Sequence, residues 1–271
     1  MSLSVKNICT EQWRLYDLDA VIDEMETEIA NAVTENKVHT DKDYMNIVLR
    51  TAGRSLVGIR EILCLSASGY PDGALALARN LYEHVMVLAF FENNQQDIKF
   101  ENFVEDYHND YDVRRIKAWK YECQNCSHDT AEIEKLSNEF KQLKENAHHE
   151  VKGDYWWSGY PRFNQLVDAA ISSVSDDKGK RFLHTMHLTY MRACLSIHAN
   201  CMGNTLRLGA DPDFAGIDTA PTPNGHALPL WFATSSLIYI MGVTFSKLNL
   251  QYDKYDEKLN ELAAFFYGKG F

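Results

Sequence analysis

The sequence predicts an all-α fold, an antiparallel helical bundle with additional peripheral helices and no substantial β-sheet, on three observations. Apolar residues recur at helical spacing along most of the 271 residues. No run of β-branched residues alternates with polar ones between turn signals, so there is nowhere to place a strand. Glycine and proline combine with Ser, Tyr and Asp at 68–72 and 158–161 and recur through 209–226, which gives the helices chemically readable breaks.

Taken in order, the periodicity predicts helices over 11–34, 41–67, 72–94, 97–122, 130–148, 161–174, 177–208, 228–249 and 254–267. Between the second and third lies Ser68-Gly69-Tyr70-Pro71-Asp72, where a glycine ends one helix and an Asp behind a proline caps the next, giving a tight antiparallel hairpin. Ser158-Gly159-Tyr160-Pro161 repeats that logic before the sixth helix. The longest irregular stretch, 209–226, holds Pro212, Pro221, Pro223, Gly216 and Gly225, and reads as a surface excursion or as a lid over a pocket. Residues 227–245 carry no charge and approach the length of a bilayer span. Pro229, Thr234, Ser235, Ser236 and Thr244 dilute that segment and no Lys/Arg cluster flanks it, so it is expected as a buried central helix and not as a membrane anchor.

No internal repeat or low-complexity tract divides the chain, so residues 1–271 are expected as one helical domain, with 1–40 as an alternative N-terminal arm. A chain this long needs neither metal nor disulfide to fold. Its formal net charge of -11 disfavours nonspecific binding to nucleic acid. The first twenty residues lack the basic start and apolar run of a secretory signal, and the six cysteines are sparse, so a cytoplasmic protein with reduced thiols is expected.

Polar side chains on apolar helices are the candidates for function. Arg79 and Glu83 stand one turn apart in a segment that is apolar on nearly every side. Burying a lone charge costs several kcal/mol, so they are expected to pair with each other and with neighbours such as Arg50, Arg54 and Glu61. The pair reads either as an ion pair that sets helix register or as the wall of a polar cavity that orients a ligand.

Further on, His184, His187, Met191, Cys194, His198 and Cys201 recur at intervals of three and four, a seam of imidazoles and thiols where a bundle usually carries Leu and Ile. Together with Cys123 and Cys126 this raises the question of zinc, but one Cys-x-x-Cys without a second pair is a weak signal, and no metal or cofactor is assigned. Glu145 and His148 match half of a di-iron carboxylate pattern whose other half is missing. There is no nucleophile elbow, phosphate-binding loop or dinucleotide fingerprint.

The run from Arg54-Ser55 through Gly69-Tyr70, Ala78-Arg79 and Tyr82-Glu83 to Phe91 is followed by Trp156-Trp157-Ser158-Gly159 and by Tyr190 to His198. Across about residues 40–210 this pattern resembles the uncharacterised prokaryotic family called domain of unknown function 5677. The resemblance implies an all-helical fold with Arg79, Glu83, Ser196 and His198 as recurring polar positions, and it supplies no reaction. That family is similar in turn to the HEPN helical bundles, many of them metal-independent ribonucleases of defence and toxin systems. Their Arg-to-His pattern is met by Arg192 and His198, with five residues between.

Two features depart from the ribonuclease pattern. Ala193 follows the arginine where active HEPN members carry a polar residue, and a six-residue step turns through about 240° on a helix, so convergence needs a dimer or a distortion. The expectation is therefore a helical protein that binds a small molecule or a protein partner in a polar pocket formed by Arg79, Glu83, Ser196 and His198. The alternative is a ribonuclease using Arg192 and His198, with nucleic acid as partner only in that case. A homodimer is the expected assembly, because helical bundles with apolar exposed faces commonly associate.

Overall fold

The computed structural model describes residues 12–35, 43–127, 129–197, 222 and 225–270. Nine α-helices and no strand occur among them: α1 (Gln12–Glu35), α2 (Tyr44–Ala67), α3 (Pro71–Asn94), α4 (Phe100–Glu122), α5 (Thr130–Asn146), α6 (Phe163–Ser173), α7 (Asp177–Ile197), α8 (Ala227–Lys247) and α9 (Asp253–Gly270). The all-α expectation holds.

The helix ends follow the local chemistry. Gly69 adopts φ +84°, and the amide of Tyr70 donates to the carbonyl of Leu65 at 2.9 Å, closing α2 with a left-handed glycine. Pro71 itself is the first residue of α3, where a missing N–H costs nothing. Asp72 therefore sits inside the first turn and is not the cap that the sequence suggested. Gly159, at φ +78°, ends a single 3₁₀ turn, Trp156–Ser158, and α6 starts only at Phe163. The stretch 209–226 lies outside the described residues except for Thr222, Gly225 and His226.

The chain forms two compact units, and α2 and α3 each contribute residues to both. The first comprises 1–39, 47–88 and 176–271. Its centre is α8, which buries Leu230, Phe232, Ala233, Leu237, Ile240, Met241 and Phe245 on several sides. The diluting hydroxyls are enclosed with them. Ser236 and Thr244 donate to the carbonyls of Phe232 and Ile240 at 2.8 Å, satisfying within the helix groups that would otherwise be costly to bury. Helix α8 packs on α9, and α1 is tied to α9 by Arg14 to Glu261 at 3.0 Å and Lys254 to Glu28 at 2.6 Å. By length and composition α3 and α8 are each apolar enough to cross a bilayer, and 67% and 72% of their most apolar windows are buried inside the protein.

The second unit, 40–46 and 89–175, is built on aromatics. Trp157 stacks on Phe91 at 5.2 Å and meets Tyr107 edge-on at 4.9 Å. The fully buried Asp106 of α4 accepts the backbone amides of His148 and His149 at 3.1 and 3.0 Å and contacts the His149 ring nitrogen Nδ1 at 2.7 Å. Asp110 accepts from the Trp156 indole at 2.7 Å. These carboxylates fasten the irregular 147–159 segment to α4.

Candidate functional site

Helix α3 brings Arg79, Tyr82 and Glu83 to one face because positions i, i+3 and i+4 are neighbours on a helix. Facing them in the first unit is α7. Its Tyr190 hydroxyl donates to Glu83 Oε1 at 3.1 Å and accepts from Arg79 Nη2 at 3.3 Å. Arg79 and Glu83 are themselves 3.3 Å apart, and the guanidinium carbon lies 5.2 Å from the centre of the Tyr190 ring. Next to this triad, the Tyr82 hydroxyl and His187 Nδ1 are 3.1 Å apart, and the rings of His187 and Tyr190 stack at 5.9 Å. Tyr82 packs in turn on Phe232 of α8 at 5.6 Å.

Electrostatics sharpen the roles. Burial pushes both the Tyr82 and Tyr190 phenols well above their ordinary range, with the nearby Glu83 carboxylate also acting on Tyr190, so both keep their protons and can donate. Burial works against the charge on Arg79, but the hydrogen bond to Tyr190 and the neighbouring Glu83 outweigh it, and its pKa rises. The pair is not enclosed, however: the side chains are 25% and 28% exposed. The pairing expected from the sequence is present, and the deep burial expected with it is not. The reason is position, since Arg79 and Glu83 lie at the edge of the α3 contact while Ala78, Tyr82 and Val85 take its centre.

On its other side Glu83 lines a cleft of about 200 Å³ between α2 and α3, together with Arg54, Gly58, Glu61, Asn80 and His84. Gly58 lets the helices approach: a Cβ there would come within 3.2 Å of Leu81. His84 Nδ1 lies 3.1 Å from the Oγ of the fully buried Ser55. Burial, reinforced by the Arg54 charge, holds His84 down to about 4, so its ring is neutral at pH 7. Arg54 and Glu61 thus belong to the cleft, while Arg50 is exposed.

The seam read along α7 divides. His187 and Cys194 are half-buried, but His184 and Met191 face solvent, and the buried stripe is Leu183, Met186, Tyr190 and Ala193. Arg192 is exposed. His198 and Cys201 lie outside the described residues, as does the side chain of Ser196. Cys123 packs in the second unit against Ile116 and Leu136, whereas Cys126 is exposed. Among the described residues no three His, Cys, Asp or Glu side chains come together to hold a metal.

Sequence reasoning passed over Asn80 and His84. Their signal was the helical step itself, since residues adjacent to Glu83 and one turn before His84 turn toward α2 when Glu83 bridges the two helix contacts.

Fold and site together define an all-helical protein with a polar network between two helices and a small cleft beside it. The chain belongs to the family of unknown function DUF5677, whose model matches residues 45–215, a span that runs from α2 through α7. No curated protein and no solved structure matches the chain.

Proposed function

We propose that the α2–α3 cleft binds a small polar molecule. The observation that carries this reading is Glu83, which lines the cleft and is held from behind by Arg79 and Tyr190. A carboxylate whose position is set by a guanidinium and a phenol is pre-organised for recognition. Arg54 supplies a cation at the same opening, Glu61 and Glu83 supply anions, and Asn80 offers an amide. That set suits a zwitterion with an anionic group for Arg54 and an ammonium for the carboxylates. Ligand sites for drug-sized molecules run from about 300 Å³ upward, so a cleft of about 200 Å³ suits a molecule of amino-acid size.

Titration of the protein with the common α-amino acids, alongside the matching amines and carboxylates, tests this by ligand-observed NMR. Binding of a zwitterion, weakened about tenfold by Arg54→Met or Glu61→Gln, is the expected result, since a charged hydrogen bond is worth roughly 1.5–3 kcal/mol. No binding at millimolar concentration, or binding indifferent to both substitutions, removes the idea.

A second reading, the HEPN-like ribonuclease, is favoured by one observation: Arg192 is solvent-exposed near the end of α7, where RNA can reach it. Cleavage of RNA in EDTA that disappears in His198→Ala supports it, and equal cleavage by both proteins dismisses it as contamination.

A further inference from the structure

The face of α2 that turns away from the α3 cleft carries a second, chemically different feature. Leu15, Tyr16, Asp19 and Asp23 of α1 and Arg60, Leu63, Cys64 and Ala67 of α2 line a groove of about 370 Å³. Its floor is apolar, with Leu15 and Leu63 almost fully buried, and its wall includes the ring of Tyr16, 69% exposed. Its rim is acidic. Arg60 Nη2 pairs with Asp23 and Glu26 at 2.6 Å each, and Asp19 stands 4.0 Å from Arg60 Nε. One guanidinium therefore faces three carboxylates. The excess is not balanced along α1, where seven acidic residues accompany the single basic residue Arg14.

We propose that this groove is a binding site for a hydrophobic cation, a small molecule with an ammonium group and an apolar body. The volume falls within the range of small-molecule sites. An apolar floor draws the body out of water. An exposed aromatic face accepts a cation. A rim with more carboxylates than guanidinium groups prefers an ammonium to an anion, and Asp19, the carboxylate farthest from Arg60, is the group that meets it. The site does not depend on the reading of the α2–α3 cleft, with which it shares no residue.

Cys64 lines the groove and is exposed, which provides a readout at the site. The rate at which iodoacetamide alkylates Cys64 is followed by peptide mass spectrometry, with exposed Cys126 as the internal reference. The probes are three compounds of similar skeleton: 2-phenylethylammonium, 2-phenylethanol and 3-phenylpropionate. The ammonium compound is expected to slow Cys64 alkylation about tenfold relative to the carboxylate, the size of effect that one or two partly screened charges give. The rate at Cys126 should not change. Asp19→Asn, which leaves the two short Arg60 pairs in place, should weaken protection, and Ala67→Phe, which fills the groove, should abolish it in a protein whose circular dichroism is unaltered. Isothermal titration with the same probes reads binding independently of the thiol. Equal protection by all three probes, or no heat and no protection with the ammonium compound, overturns the proposal.

Discussion

Asp106 on the largely polar α4 and Glu83 on the largely apolar α3 are both carboxylates, and the two units treat them in opposite ways. Asp106 is completely enclosed, and two backbone amides and the His149 ring meet its oxygens. Glu83 is about a quarter exposed, shares its Oε1 between Arg79 and Tyr190, and lines a cleft. Beside it the Nε of Arg79 is buried without a hydrogen-bond partner among the described residues. A wholly enclosed carboxylate that accepts backbone amides holds a loop in place. A partly exposed one, fixed by side chains at the edge of a cleft, is placed where a ligand can reach it. Burial combined with the kind of partner separates scaffold from candidate site more cleanly than the presence of charge does.

Four experiments test that contrast. The largest effect is expected from Asp106→Ala, which leaves two amides and an imidazole without their acceptor. A loss of about 3 kcal/mol or more in urea denaturation is anticipated, with faster hydrogen exchange at His148 and His149. A loss below 1 kcal/mol, on the order of a surface change, would undo the structural assignment of the enclosed carboxylate.

Next in size is the acid response of His84. Its folded-state pKa, held down to about 4, lies below its ordinary 6.5, so the unfolded chain binds the proton more readily between those values. This group leaves stability untouched above pH 6.5 and lowers it as pH falls toward about 4, by roughly 2–3 kcal/mol at the acid end. Denaturation curves across that window should flatten in His84→Gln, and an unchanged slope would mean that the ring is not held neutral.

Tyr82→Phe keeps the buried ring and removes the hydroxyl that contacts His187, for which a cost of about 1 kcal/mol is expected in thermal or urea unfolding. The smallest effect belongs to the Arg79–Glu83 pair. A double-mutant cycle with Arg79→Met and Glu83→Gln should return a coupling below about 1 kcal/mol, the range of partly exposed ion pairs. A coupling of several kcal/mol would place Glu83 with Asp106 among the structural groups.

Much of the scaffold was legible from residue order. Predicted helices over 11–34, 72–94 and 130–148 correspond to Gln12–Glu35, Pro71–Asn94 and Thr130–Asn146, because apolar spacing and end signals act within a few residues. Asp129, just before α5, caps it through the amides of Ala131 and Glu132, again a local event. Helix α6 begins at Phe163, two residues after the predicted start, because the turn after Gly159 runs through Pro161 and Arg162 first. The candidate site was legible only in part. Arg79 and Glu83 stand out as charges on an apolar helix, and their mutual pairing follows from spacing. Their hydrogen bonds with Tyr190 join residues 107 or more positions apart, which no local rule supplies.

Residue order is enough to make the chain helical, to set where most helices begin and end, and to mark Arg79 and Glu83 as anomalous. Each of these depends on interactions spanning one or two turns. That α7 presents Tyr190 and His187 to α3 while His184 and Met191 turn outward, and that Asp106 is sealed while Glu83 opens on a cleft, emerges only when helices pack. Those outcomes depend on which helix faces meet, and side-chain periodicity leaves that choice open until packing settles it.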